Sequence, residues 1–345
     1  MKCSIMYTGD KMKIKLYFEN ENAIAKSGIG RAMKHQEQAL QLNNIEYTKD
    51  ASTKDYDILH INTMWYNSWR QVRKAKRLKK KIVFHAHSTE EDFKNSFMFS
   101  NVLAPLYKKW LIYMYNFGDV IVTPTPYSKR ILESYHIKKD IYAISNGINL
   151  NNFKKDKEKE KIFREYFKLK PDQKVIISVG WFFERKGFDT FCEVAKKLPE
   201  YTFIWFGDKL MSAPTNNIRK LMMNPPENVI LPGYISGDVI KGAYSNADVF
   251  FFPSREETEG IVVLEALASE TNVLVRDIPV FDGWLVDKEN CYMGHTNEEF
   301  VTLIKQIINK EVPELKEAGY EVARKRSLEY IGEDLKKVYE NVLKG

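Results

Sequence analysis

The sequence predicts an α/β protein of two doubly wound domains facing each other across a cleft, on three observations. Short β-branched runs alternate with longer helical patterns, the mark of βαβ units and parallel sheets. That alternation runs twice, stopping at the turn signal Asn146-Gly147 and restarting at Val175 after a charged stretch from Lys154 to Lys161. A length of 345 residues is long for one core and comfortable for two.

Expected strands in the first series are 13–18, Ile58 to Ile61, Ile82 to His85 and Val120 to Val122, with helical patterns over 29–43 and 67–80. The second series has strands over 175–180, 202–206, 229–231, 248–252 and 273–275. The organisation that follows is a first domain over 1–150, a linker over 151–172, a second domain over 173–325 and a last helix over 326–345. Met12 opens the first strand, so residues 1–11 are expected to be dispensable to the fold. In open sheets of this kind ligands bind beyond the carboxyl ends of the strands, so the loops there should carry the site.

Composition narrows the class. Apolar residues make up 44% and charged residues 29%, a globular balance rather than a disordered one. No apolar run approaches the roughly 20 residues that span a bilayer, and the first fifteen residues lack the apolar core of a signal peptide. Cys3, Cys192 and Cys291 have neither metal nor disulfide spacing, which fits a reducing compartment. The net charge of +7 is uneven: residues 1–150 hold 24 Lys and Arg against 14 Asp and Glu, and the remainder 29 against 32. Only the first half is therefore expected to meet an anionic surface, nucleic acid or acidic lipid.

The segment richest in chemistry runs from Pro253 to Glu265, after the strand ending at Phe252 and into a helix. Gly260 at the helix start lets the backbone N–H groups of Ile261 and Val262 approach a diphosphate, aided by the helix dipole. Glu257 before the turn can sit at a sugar, and Glu265, eight positions on, can accept from ribose hydroxyls. Read blandly, the same spacing is an acidic first turn that complements the dipole. Gly28 and Gly30 permit close backbone approach to a phosphate or acceptor, or simply a tight strand-to-helix turn. His85 and His87 form a His-x-His pair at a strand end, but no further ligands nearby suggest a metal. Asp55-Tyr56-Asp57 precedes its strand and reads as a solvated turn.

Pro253 to Glu265 is similar to the Glu-x7-Glu motif of the family 4 retaining glycosyltransferases, whose fold, GT-B, pairs two Rossmann-like doubly wound domains across a cleft. Ser27-Gly28-Ile29-Gly30-Arg31 resembles that family's glycine-rich loop, His87 its active-site histidine, and Ile144-Ser145-Asn146-Gly147-Ile148 the element closing its first domain. Val179-Gly180 with Glu184-Arg185-Lys186-Gly187 resembles the element that holds the diphosphate. Two departures stand out: Trp181 replaces the usual Arg, and Thr258-Glu259-Gly260 replaces Gly-Phe-Gly. Glu259 is accordingly expected to add a second carboxylate near the sugar.

The resemblance implies Glu257 and His87 as catalytic groups, with Arg185, Lys186, Gly260, Ile261, Val262 and Glu265 on the donor. It also implies retention, no essential metal, no cofactor beyond the UDP-glucose or UDP-galactose donor, and a last helix that crosses back to the first domain. More narrowly the chain resembles the Gram-positive diglycosyl-diacylglycerol synthases, whose glycolipids anchor lipoteichoic acid. The expected acceptor is then a monoglucosyl diacylglycerol. The segment from Trp69 to Lys81 holds eight basic residues in thirteen, and reads as a membrane contact through Arg70, Arg73, Lys74, Lys76, Arg77, Lys79 and Lys80, or as a solvated helix face. Phe93 to Phe117, dense in aromatics, reads as a core helix pair or as a lipid-facing surface in which Trp110, Tyr113 and Met114 share a face. The expectation is a cytoplasmic enzyme held peripherally at the inner face of the plasma membrane. Its rivals are a polysaccharide transferase, a nucleic-acid-binding protein and a sugar-nucleotide epimerase.

Overall fold

The runs of Val, Ile and Phe that mark the central strands have no polar alternation because both faces of each strand are covered. In the computed structural model, which describes residues 12–25, 27–96, 99–208 and 214–345, the described residues form two six-stranded parallel sheets. The first contains β1 (Lys13–Tyr17), β2 (Glu46–Thr48), β3 (Ile58–Ile61), β4 (Lys81–His85), β5 (Val120–Thr123) and β6 (Asp140–Ala143), in the order β2-β1-β3-β4-β5-β6. The second contains β7 (Val175–Val179), β8 (Thr202–Phe206), β9 (Val229–Gly233), β10 (Val249–Phe252), β11 (Val273–Arg276) and β12 (Tyr292–Gly294), in the order β12-β11-β10-β7-β8-β9. Strands β3, β5, β7 and β10 are buried along their whole length. The strands that the sequence pattern does not announce, β2, β6 and β12, all lie at sheet edges. An edge strand needs no continuous apolar run, so periodicity passes over it. Residues 1–11 lie outside the described residues.

Strand order reverses between β1 and β3 in one sheet and between β7 and β10 in the other. These switch points open crevices at the carboxyl ends of the strands, and the loops after β1, β7 and β10 all reach the cleft there.

The segment expected to link the domains is folded. Asp156 caps a helix over Lys157–Tyr166 by accepting from the amides of Glu158 and Lys159. Phe163 on that helix is fully buried in the second domain's core. Gly242 lets the helix Asp238–Asn246 come up against the Lys159 carbonyl, where a Cβ would collide. Residues 157–166 therefore belong to the second domain, which corrects the linker over 151–172.

The last helix, Leu328–Lys344, packs on the helix Gly28–Leu42 of the first domain. Leu328, Ile331, Leu335, Val338, Tyr339 and Val342 share one apolar cluster with Ile14, Leu16, Val83 and Val122. The chain thus passes between domains twice, and the two passages pair at Ile148 and Ser327. Gly147 sits at this crossing with φ +74°, and a Cβ there would press on Leu328 and Ile331. Backbone conformation and packing both demand glycine at the Asn-Gly turn.

Candidate active site

The cleft between the sheets holds a cavity of about 400 Å³ lined by both domains. Its second-domain wall comes from the loops after β7 and β10. These loops touch: a Cβ on Gly187, whose φ is +74°, would strike the Pro253 carbonyl. Arg185 and Lys186 are held against the acidic segment by that contact. Gly260, at φ +89°, turns the chain into the helix Ile261–Ala268. The first amides of a helix have no partner within it and carry its positive end, so Ile261 and Val262 offer an anion site on the cavity wall.

The three buried carboxylates of this segment have different partners. Glu257 accepts from Ser254 Oγ at 2.7 Å and forms an ion pair with Lys186. Burial opposes its ionisation, but Lys186 and Arg185 beside it hold the carboxyl below the usual range. Glu265, 1% exposed, accepts from Arg31 Nη1 at 2.7 Å on each oxygen and from the Tyr244 hydroxyl at 2.6 Å. Glu259 accepts from Ser145 Oγ and from the Asn146 side-chain amide at 2.7 Å. Its carboxylate ties the acidic segment to the domain crossing. Glu259 lines the cavity beside Glu257, and both its oxygens are engaged by the first domain.

Arg185 forms an ion pair with Asp92 of the first domain at 2.8 Å and donates to Ser96 Oγ and the Glu256 carbonyl. Each basic side chain on the cavity wall, Arg31, Arg185 and Lys186, is thus paired with a carboxylate. Trp181, in the place of the usual guanidinium, stacks on Phe183 and lines the cavity.

On the first-domain wall, Gly30 fits tightly against the Ile24 and Ala25 backbone, while a Cβ on Gly28 would meet open space. Gly30 is therefore required by packing and Gly28 leaves room at the cavity edge. His87 is buried, its Nε2 at 2.8 Å from Asn62 Oδ1 and its ring stacked on His85 with centroids 4.1 Å apart. Burial lowers its pKa to about 3, so the ring is neutral at working pH. Among the described residues no group of three His, Cys, Asp or Glu is arranged to hold a metal ion.

Away from the cleft, the basic stretch forms the helix Tyr66–Arg77. Val72 and Ala75 face the core. Glu19 accepts from the amides of Asn67 and Ser68, so a carboxylate neutralises the helix N-terminus while Lys74, Lys76 and Arg77 face its negative end. Arg70, Arg73, Arg77 and Lys79 are exposed; Lys74 donates to the Ser52 carbonyl, Lys76 pairs with Asp119, and Lys80 lies over Tyr56. With Tyr17, Tyr66 and Trp69 the arginines line a basic, aromatic hollow of about 660 Å³.

The aromatic-rich stretch forms the helix Ser100–Tyr115. Met114 is buried, and Trp110 is half-buried with its indole N–H given to the Met64 carbonyl at 2.6 Å. Trp110 and Met114 are core residues, which corrects their placement on a lipid-facing surface. Phe99, Val102, Leu103, Leu106 and Tyr113 are the exposed apolar side chains, with Leu106 at 66% and Val102 at 75%. Four groups are given no role by the motif reading: Arg31 and Asp92 on the cavity wall, and Asn62 and Tyr244 behind it, bonded to His87 and Glu265. Arg31 directly follows the Gly-x-Gly and could have been found there; the other three belong to no motif.

Two doubly wound domains with a glycine-rich loop facing an acidic helix entry make up the architecture of a group-transfer enzyme, and the chain belongs to the family 4 glycosyltransferases. Residues 31–152 match Glycosyltransferase Family 4 and residues 158–326 match Glycosyl transferases group 1. The chain is 48% identical over 334 residues to the processive diacylglycerol alpha-glucosyltransferase of Acholeplasma laidlawii, covering 96% of this chain and 99% of that one. It is 25% identical over 280 residues to the alpha-galactosylglucosyldiacylglycerol synthase of Streptococcus pneumoniae, covering 80% and 75%. Among solved structures, HepE of Anabaena in complex with UDP-glucose aligns with a TM-score of 0.75 at 15% identity, over 96% of this chain and all of that one. Sucrose-phosphate synthase of Thermosynechococcus elongatus aligns at 0.78 and 16%, over 96% and 99%. These likenesses are of fold, and the fold is GT-B.

Proposed function

We propose that this glycosyltransferase moves a hexose from a UDP-sugar, with retention, to the sugar hydroxyl of a glycosylated diacylglycerol. Identity to a diacylglycerol glucosyltransferase through nearly the whole of both chains is the observation that carries this reading, and it favours glucose over galactose. In the cleft, Glu257 positions the donor hexose, Glu265 meets the ribose, and His87 stands at the reacting centre. Arg185, Lys186 and the amides after Gly260 stabilise the diphosphate as it leaves, preorganised donors aimed at developing charge. No metal is needed for that role, so activity should survive EDTA; complete loss, restored by manganese, would contradict this assignment.

A lipid acceptor must present its hydroxyl at the cleft while its acyl chains stay in the bilayer. The exposed apolar row from Phe99 to Leu106 and the basic hollow around Arg73 lie on the same domain and suit such an interface. No described helix is long and apolar enough to cross a membrane, and a peripheral contact at the inner face of the plasma membrane requires none. The deciding assay supplies monoglucosyl diacylglycerol, free diacylglycerol and free glucose separately, each with UDP-glucose and UDP-galactose. A diglycosyl lipid from the first acceptor and little from the other two is the expected result. Absence of lipid product with either donor would turn the assignment toward polysaccharide acceptors.

A further inference from the structure

We propose that Asn62 is the positioning residue of His87, fixing its ring as the neutral tautomer with the proton on Nε2 and the lone pair of Nδ1 available in the cleft. Asn62 follows β3, and its amide nitrogen is anchored to the Tyr17 carbonyl at 3.2 Å. Its Oδ1 lies 2.8 Å from His87 Nε2, and its Nδ2 donates to Gln36 Oε1 at 2.8 Å. Gln36 Nε2 is 3.0 Å from the His60 ring nitrogens, and His60 Nδ1 is 2.7 Å from the Tyr339 hydroxyl. All five side chains are buried. They come from four places: the helix Gly28–Leu42, the ends of β3 and β4, and the last helix.

An amide oxygen has no hydrogen to give, so the nitrogen facing it must carry one. The imidazole is thereby a donor toward Asn62 and an acceptor at Nδ1, which has no hydrogen-bond partner among the described residues, on a ring that lines the cavity. The rings packed on it are those of His85, stacked upon it, and of His60 behind His85 at 5.4 Å, neither of which brings a negative charge. Arg31, Asp92, Arg185, Lys186, Glu257 and Glu259 line the same cavity, but each of these carboxylates is engaged by another group, and burial is what lowers the His87 pKa. A carboxylate in place of Asn62 would stabilise the imidazolium, whereas the amide orients the ring and leaves it neutral. On the proposed function, His87 then accepts a hydrogen bond from a sugar hydroxyl rather than donating one.

The test begins without substrate, so it stands or fails separately from the choice of acceptor. Nitrogen NMR of protein labelled at histidine, with His87→Gln to assign the signal, should show the Nε2–H tautomer unchanged between pH 5 and pH 8. In Asn62→Asp the same ring should begin to titrate within that range. With donor and acceptor supplied, Asn62→Asp should lose activity as pH falls through the new pKa, about tenfold or more in kcat, while the UDP Kd stays within about twofold. Asn62→Ser, shorter by one bond and uncharged, takes the acceptor out of hydrogen-bond reach and should retain the pH-independent profile at reduced kcat. A proton on Nδ1 in the unmodified protein, or an Asn62→Asp protein that binds UDP yet shows unaltered His87 titration, would overturn the proposal.

Discussion

Glu257, Glu265 and Glu256 are neighbours in sequence or on one helix entry, yet their surroundings assign them different work. Glu257 is ionised and held by Lys186 and Ser254. Replacing it with Gln keeps shape and removes charge, so turnover should fall at least ~100-fold, as for the loss of an oriented contact worth ~3 kcal/mol. Near-normal turnover would take Glu257 out of the reacting centre. Glu265→Gln should instead raise the donor KM, because Arg31 and Tyr244 already occupy the carboxylate from the protein side and, on the proposed function, the ribose shares it. Glu256 is different again. Burial, then the charges of Asp92 and Glu257, push its pKa up to about 7 against a hydrogen bond from Tyr127. A carboxyl whose folded pKa is raised contributes stability below its unfolded pKa and loses it as pH rises through the folded value. The melting temperature should therefore decline between about pH 4.5 and 7 by a few degrees more in the natural protein than in Glu256→Gln, read by calorimetry across that window. Equal slopes would show that the group is ordinary.

At the scale of elements, the two surface helices of the first domain separate charge from apolar contact. Reversing Arg70, Arg73, Arg77 and Lys79 to Glu removes cations that are exposed, sparing Lys76 and Lys74, which have partners in the fold. Each basic group near an anionic surface is worth up to ~1 kcal/mol. The variant should leave anionic vesicles but still bind UDP. Leu103→Ser with Leu106→Ser, both exposed, should change stability by no more than ~0.5 kcal/mol each and still weaken partition into vesicles, neutral ones included. Unaltered partition in both variants would make these faces merely solvated. The sequence shows why one helix is legible and the other is not. Arg70 to Lys81 announces its charge whatever the register, and Val72 and Ala75 give the inward face. In Ser100–Tyr115 nearly every residue is apolar, so periodicity cannot distinguish Trp110 from Leu106; only the Met64 carbonyl, 46 positions away, decides that the indole turns in. The same holds in the cleft. Glu257, Glu265 and Gly260 sit on one local pattern and can be found by spacing. Asp92 and Asn62 gain their meaning from partners on other strands and loops, and the tie that Glu259 makes to Ser145 and Asn146 is invisible in its motif because those partners lie in the other domain.

For the whole molecule, four of the six histidines, His35, His60, His85 and His87, are buried. Burial lowers His35 to about 4 and His60 and His87 to about 3, and His85 well below its usual value. A histidine kept neutral by folding contributes stability above its unfolded pKa and loses it as pH falls toward the folded one. All four belong to the first domain, so acid below about pH 6.5 should unfold that domain before the second. Tryptophan fluorescence and UDP binding followed together would resolve two steps; one coincident transition at every pH would refute the separation. The domain also depends on its borrowed helix. Leu335, 1% exposed, packs into the cluster around β1, and Leu335→Ala should destabilise by about 2–5 kcal/mol.

That borrowed helix has a consequence for how the chain is made. Strands β1 to β6 leave the ribosome first, but the face they share with Leu328, Ile331, Leu335, Val338 and Tyr339 is completed only after the whole of the second domain has been synthesised. The domain encoded first is therefore the domain finished last. Until then its apolar face is open in a crowded cell, the state in which nascent chains are most prone to aggregate. The second domain, continuous from Lys157 to Arg324, meets no such delay.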